Sequence, residues 1–184
     1  MFESETELAE LQELLDTSFK RAGERIKLIY GSNEPLSAKQ LAGFRGTRLV
    51  AVATVNSKVE PRVAPRSAAF LHGKFYLAAN ANSITVRRLR RNPKVSISYY
   101  ENRFLLIGHG RVSLLTKGSG EFEHITPEWE EAFNCGTLAH DGLDVLLRVD
   151  LEHLVAFAQR PERYPAAWGS GRRLGRKERA HRPT

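Results

Sequence analysis

The chain has 184 residues, 28 Lys plus Arg against 21 Asp plus Glu, and a formal net charge of +7. That length suits one domain with tails, and 41% hydrophobic with 27% charged residues supports a packed core and argues against wholesale disorder. The longest largely apolar stretch, Leu49 to Val55, is too short to cross a bilayer. The acidic Met-Phe-Glu-Ser-Glu start is unlike a secretory leader, and a single Cys excludes an internal disulfide, so the cytoplasm is the expected compartment.

The charge is unevenly spread. Residues 1 to 16 hold six acids and no base, residues 121 to 144 hold seven acids with no Lys or Arg, and residues 160 to 184 carry eight bases against two acids. Six of the seven net charges therefore belong to the end of the chain, where Gly-Ser-Gly-Arg-Arg-Leu-Gly-Arg-Lys-Glu-Arg has little to bury. A flexible tail is expected from about Gly169. The other basic run, Arg87, Arg88, Arg90, Arg91 and Lys94, contains no acid.

Ser4 with Glu7 forms a capping box, and Leu8, Leu11, Leu15, Ala22, Ile26 and Ile29 recur at helical spacing, which predicts one long helix ending near Gly31. Ser37 with Gln40 repeats the cap ahead of a short helix through Leu41 and Phe44. Thr47 to Val55 is β-branched and breaks at Asn56-Ser57-Lys58. A second strand from about Val59 to Leu71 turns at His72-Gly73 into Lys74 to Ala79, with Phe75, Leu77 and Ala79 on one face. Ser83 caps a helix over Ile84 to Arg91, stopped by Asn92-Pro93, and strands over Lys94 to Tyr100 and Phe104 to Thr116 follow. Thr126-Pro127 reads as the cap and first residue of an acidic helix containing Trp129 and Phe133. A last strand spans Leu143 to Phe157, with a bulge near Asp150. Six strands joined largely by short turns predict a mainly β chain, a small antiparallel barrel with peripheral helices.

Phosphate-loop, dinucleotide-glycine, nucleophile-elbow and paired-His zinc motifs are all absent, and His72, His109, His124, His140, His153 and His181 are scattered singly. Cys135 with His140 lacks an orienting partner and reads as an ordinary thiol. The informative stretch is Pro61 to Pro93, in which strand, turn, strand and capped basic helix follow within 33 residues. The helix's first amides attract an anion, Ser83 and Thr85 can add hydroxyls, and the forks of Arg87 and Arg88 suit phosphate oxygens. The same residues equally describe a solvated basic face with Val86 and Leu89 packed inward.

Two segments resemble the flavin-binding split barrels related to pyridoxamine 5'-phosphate oxidase. LVAVATVNSKVEPRVAPRSAAFLHGKFYLAA is similar to the family's paired opening strands. SITVRRLRRNPKVSISYY is similar to its capped helix of form S-x-K-x-R-x-L-x-x-(N/D)-P and the strand that follows, and IGHGRVSLL resembles the next strand. The likeness covers roughly residues 41 to 112.

The resemblance implies a six-stranded Greek-key split barrel, homodimeric, with cofactor sites in the clefts between subunits. It implies flavin mononucleotide (FMN), with a deazaflavin coenzyme as the alternative and haem as a further one, and an oxidoreductase acting on a small molecule. By position, Val63, Ala64, Pro65, Arg66 and Ser67 would lie against the flavin ring, and Ala79, Asn80, Ser83, Thr85, Arg87 and Arg88 would face its phosphate. Arg66 or a backbone amide of its strand would steady charge on the reduced ring, and Trp168 would close the cleft or anchor the tail. Tyr100 and His109 would fill the barrel or meet a partner subunit.

The chain departs from the family motif at Thr85, where a Lys is usual, and at Ile84, where the oxidase has Arg; Arg66 or Arg87 is the expected substitute. The oxidase's C-terminal substrate segment is not recognisable, so pyridoxamine phosphate is not the expected substrate. A non-catalytic cofactor carrier or haem protein, with a ligand such as His72, is a second reading. A nucleic-acid binder is a third, but no aromatics interleave the bases as in a single-strand platform. The expected organisation is a helical extension over 1–45, a barrel over 46–160 and a basic tail over 161–184.

Overall fold

The structure, a computed structural model, describes residues 3–24, 35–44, 48–101, 104–133 and 143–158. In chain order its elements are α1 (Glu5–Arg21), α2 (Ala38–Ala42), β1 (Arg48–Val55), β2 (Pro61–Leu71), β3 (Lys74–Ala79), α3 (Ile84–Arg91), β4 (Lys94–Glu101), β5 (Phe104–Thr116), α4 (Gly120–Phe133) and β6 (Val145–Ala158). The expected tail, Trp168 and the Cys135–His140 pair fall outside the described residues.

Local chemistry starts the first two helices as expected. The Ser4 amide donates to Glu7 Oε2 at 2.7 Å and the Ser37 amide to Gln40 Oε1 at 2.9 Å, while each serine hydroxyl accepts the third helical amide. Gln12 ties the two helices, its Oε1 accepting the Ala38 amide at 2.8 Å.

Two helix boundaries correct the sequence reading. α1 stops at Arg21, because Ala22 adopts an extended conformation (φ −62°, ψ 138°) while its amide still donates to the Phe19 carbonyl. Gly23 follows, the poorest helix former after proline, so the apolar spacing runs past a real break. Ile26, Ile29 and Gly31 lie outside the described residues. α4 begins at Gly120 rather than at Pro127. Ser119 caps it, with Oγ accepting the Phe122 amide at 3.3 Å and the carbonyl accepting the Glu123 amide at 3.1 Å, and Pro127 sits inside the helix. Thr126 does not cap; its Oγ1 donates back to the Phe122 carbonyl at 2.6 Å. Proline's missing amide costs a helical bond, and burial of Phe122, Ile125 and Trp129 along one face offsets it.

The six strands close into an antiparallel barrel in the order β1-β2-β3-β6-β5-β4. β1 and β2 join through a turn in which Asn56 Oδ1 accepts the Lys58 and Glu60 amides, both at 2.9 Å. His72 and Gly73 both have positive φ (51° and 70°), the conformation a tight β2–β3 hairpin demands. β3 and β4 are consecutive but not neighbours. α3 carries the chain across to β4, which pairs with β1 and β5. The Greek-key crossover thus sets α3 beside the opening strands.

Alternation sends Val50, Val52, Phe70, Phe75, Leu77 and Ile97 into the barrel, where Leu41 of α2, Phe44 just after it, and Val86 and Leu89 of α3 join them. α4 builds a second cluster outside, with Phe122, Ile125 and Trp129 over Ala69, Leu71 and Tyr76. The expected irregularity in β6 is present as a register shift, where Gly110 faces Leu151 while His109 faces His153.

Candidate functional site

The start of α3 gathers most of the polar candidates. Ser83 holds an extended conformation and its Oγ accepts the Val86 amide at 3.3 Å. The amides of Ile84 and Thr85, the first two of the helix, have no acceptor within it. Arg66 comes from β2, paired with Val50 of β1, and its Nη2 donates to Thr85 Oγ1 at 2.7 Å. Arg66, Ser83 and Thr85 are thereby brought together although 19 residues separate Arg66 from Thr85. The threonine that stands where the family motif has Lys is the residue that positions a cation supplied by β2.

The loop before α3 is braced. Asn80 Oδ1 accepts the Asn82 amide at 2.8 Å and its carbonyl accepts the Ser83 amide at 2.9 Å. Asp144, which the sequence reading did not single out, accepts the Ala81 amide at 2.6 Å. No spacing could have signalled a partner 63 residues away. Ala79 lies in the barrel core, so its side chain does not reach this cradle. Arg87 is exposed and Arg88 half-buried, with Val86 and Leu89 buried on the opposite face. The basic-face and anion-cradle readings of α3 are therefore compatible, one for each end and side of the helix.

Val63, Pro65 and Ser67 lie on the other face of β2. They are exposed, paired with Ala53, Ala51 and Leu49 of β1, and that face continues through Ser96 and Ser98 of β4. Val63 is 69% exposed, Leu49 66% and Tyr100 72%, which makes this an uncharged, open sheet surface. Tyr100 and His109 are exposed, so neither fills the barrel.

Among the described residues no group of three or more His, Cys, Asp or Glu could hold a metal ion. His109 Nδ1 lies 2.8 Å from Ser96 Oγ, and its ring is 5.7 Å from that of His153. His72 sits at the β2–β3 turn with Nδ1 3.1 Å from Glu7 Oε1 and Nε2 2.8 Å from Glu128 Oε2. Both ring nitrogens are engaged by carboxylates, which leaves this ring unsuited to an axial haem ligand.

Comparison with known proteins fits this architecture. Residues 36–156 match the family model described as pyridoxamine 5'-phosphate oxidase. No curated protein matches the chain. Among solved structures, the conserved hypothetical protein Rv2991 of Mycobacterium tuberculosis is similar at 19% identity and a TM-score of 0.57, covering 71% of this chain and 89% of its own. The haem storage protein HutZ of Vibrio cholerae aligns at 23% identity and a TM-score of 0.53, covering 65% and 93%. An F420 reductase aligns at 16% identity and a TM-score of 0.50, covering 62% and 94%. At such identities these structures support the barrel fold alone.

Proposed function

This chain belongs to the pyridoxamine 5'-phosphate oxidase family, and from that premise we propose that it binds a flavin-type coenzyme and acts as an oxidoreductase on a small organic molecule. FMN is the first choice and a deazaflavin the second. The observation that carries the reading is the Arg66–Thr85 hydrogen bond at the start of α3. It brings a guanidinium fork to the Thr85 hydroxyl, beside the Ser83 cap and the first two amides of the helix, donors of the kinds that bind a phosphate oxyanion.

Val63, Pro65 and Ser67 offer an open, uncharged strand face on which an aromatic ring can lie, and the amphipathic division of β2 separates it from the cationic Arg66. A bound flavin would supply hydride transfer itself. This chain's share is to hold the phosphate at α3, to orient the ring along β2 and to keep water from it. A second copy packed on the exposed β2-β1-β4 face would complete that exclusion, so a homodimer is part of the proposal.

Titration of the purified full chain with FMN, a deazaflavin and haem tests the reading. Saturable binding of FMN or the deazaflavin, weakened tenfold or more in Arg66→Ala, is the expected result. Protein that leaves both unbound overturns it, and a haem Soret band without flavin binding replaces it with the cofactor-carrier reading.

A further inference from the structure

One histidine outside the proposed site joins three parts of the fold. His72 occupies the β2–β3 turn, its side chain only 16% exposed, with Glu7 of α1 on one ring nitrogen and Glu128 of α4 on the other. A neutral imidazole has one N–H and one lone pair, so it can donate to one carboxylate and must turn its lone pair toward the other. Only the imidazolium donates to both. Glu7 divides its work: Oε2 serves the capping box at Ser4, and Oε1 faces the ring. Breaking the tether to the barrel therefore leaves the first turn of α1 with its cap as the support that remains.

We propose that His72 is a pH-operated latch, whose protonated ring clips the first turns of the N-terminal helix and α4 to the β2–β3 hairpin and whose deprotonation frees the N-terminal helix's start. The charged groups that act on the ring are Glu128 from α4 and Glu7 from α1; the next charge along the hairpin is Lys74. Burial opposes the ring's charge, yet the two carboxylates outweigh it and hold the pKa above its ordinary value of 6.5. The latch is thus closed below that raised value and opens as the pH rises through it. Further along α1, Leu11 and Leu15 stay in the barrel core and Ser18 Oγ accepts the Leu154 amide at 2.9 Å, so opening is confined to the first turns.

The experiment is hydrogen exchange of the full chain combined with NMR titration of the His72 ring. Protection of the Leu8 to Glu10 amides is expected to fall about tenfold as His72 deprotonates, with residues 11 to 18 unchanged. His72→Asn keeps a residue that tolerates the positive φ of the turn and is expected to show the low protection at every pH. Glu7→Gln preserves the cap and removes the charge, so it separates loss of the latch from loss of the helix start. A His72 ring that titrates at or below 6.5, or wild-type protection that stays level through its titration, overturns the proposal.

Discussion

At the scale of single residues, the candidate site turns on where a positive charge comes from. Arg66 leaves β2 and is held by Thr85 Oγ1 at 2.7 Å, so in the proposed site the threonine would serve an anion both by its own hydroxyl and by fixing a guanidinium. Thr85→Val keeps the shape and removes the acceptor. We expect it to weaken anionic-coenzyme binding by about threefold to tenfold, less than Arg66→Ala, which removes a charge-assisted contact of about 1.5 to 3 kcal/mol. Fluorescence quenching of the bound coenzyme measures both, and equal losses in the two variants would contradict the division of labour. Ser83→Ala is different in kind. It removes the cap that accepts the Val86 amide and should cost about 1 kcal/mol of stability in urea unfolding.

At the scale of elements, the legible features were those written in adjacent residues. Ser4 with Glu7, Ser37 with Gln40 and Ser83 announce helix starts, Asn56-Ser57-Lys58 and His72-Gly73 announce turns, and the alternation of Phe75, Leu77 and Ala79 places a strand face. The misread boundaries were cases where one local signal masked another. Pro127 looks like a first helical residue, yet Ser119 starts α4 a turn and more earlier; the leucine stripe of α1 continues in sequence past the point where Ala22 leaves the helix. Arg66 and Thr85 were both readable as candidates, but their mutual bond was not, because it depends on the crossover that sets α3 beside β1 and β2. Gly110 shows the same limit. A Cβ there would stand 2.1 Å from the Asp150 carbonyl oxygen, at the point where β5 meets the β6 bulge. Gly110→Ala must push the two strands apart, and a loss of about 3 kcal/mol is expected in urea unfolding with an unchanged m-value.

At the scale of the whole molecule, two histidines on opposite sides of their ordinary pKa shape the response to pH. His72 is raised above 6.5 by Glu128 and Glu7. His153 is lowered, by burial first and then by the neighbouring His109 and Arg21. For His72 the folded state binds the proton more tightly than the unfolded one, so its stabilisation is complete below about 6.5 and is lost as the pH rises through the raised value. For His153 the folded state resists protonation, so stability holds above about 6.5 and is lost as the pH falls through the lowered value. The two slopes meet to give a maximum near pH 6.5, with stability falling away on each side. Glu7 adds a further loss below the carboxylate range, because hydrogen bonds from Ser4 and His72 overcome its burial and lower its pKa. His72→Asn should flatten the alkaline slope alone and His153→Gln the acid slope alone, each read from urea unfolding between about pH 5 and 8.5. A wild-type profile that rises steadily across that range, or either variant changing the wrong slope, would refute this account. Because each comparison reads a slope rather than an absolute stability, a general destabilisation by either substitution leaves the outcome decisive.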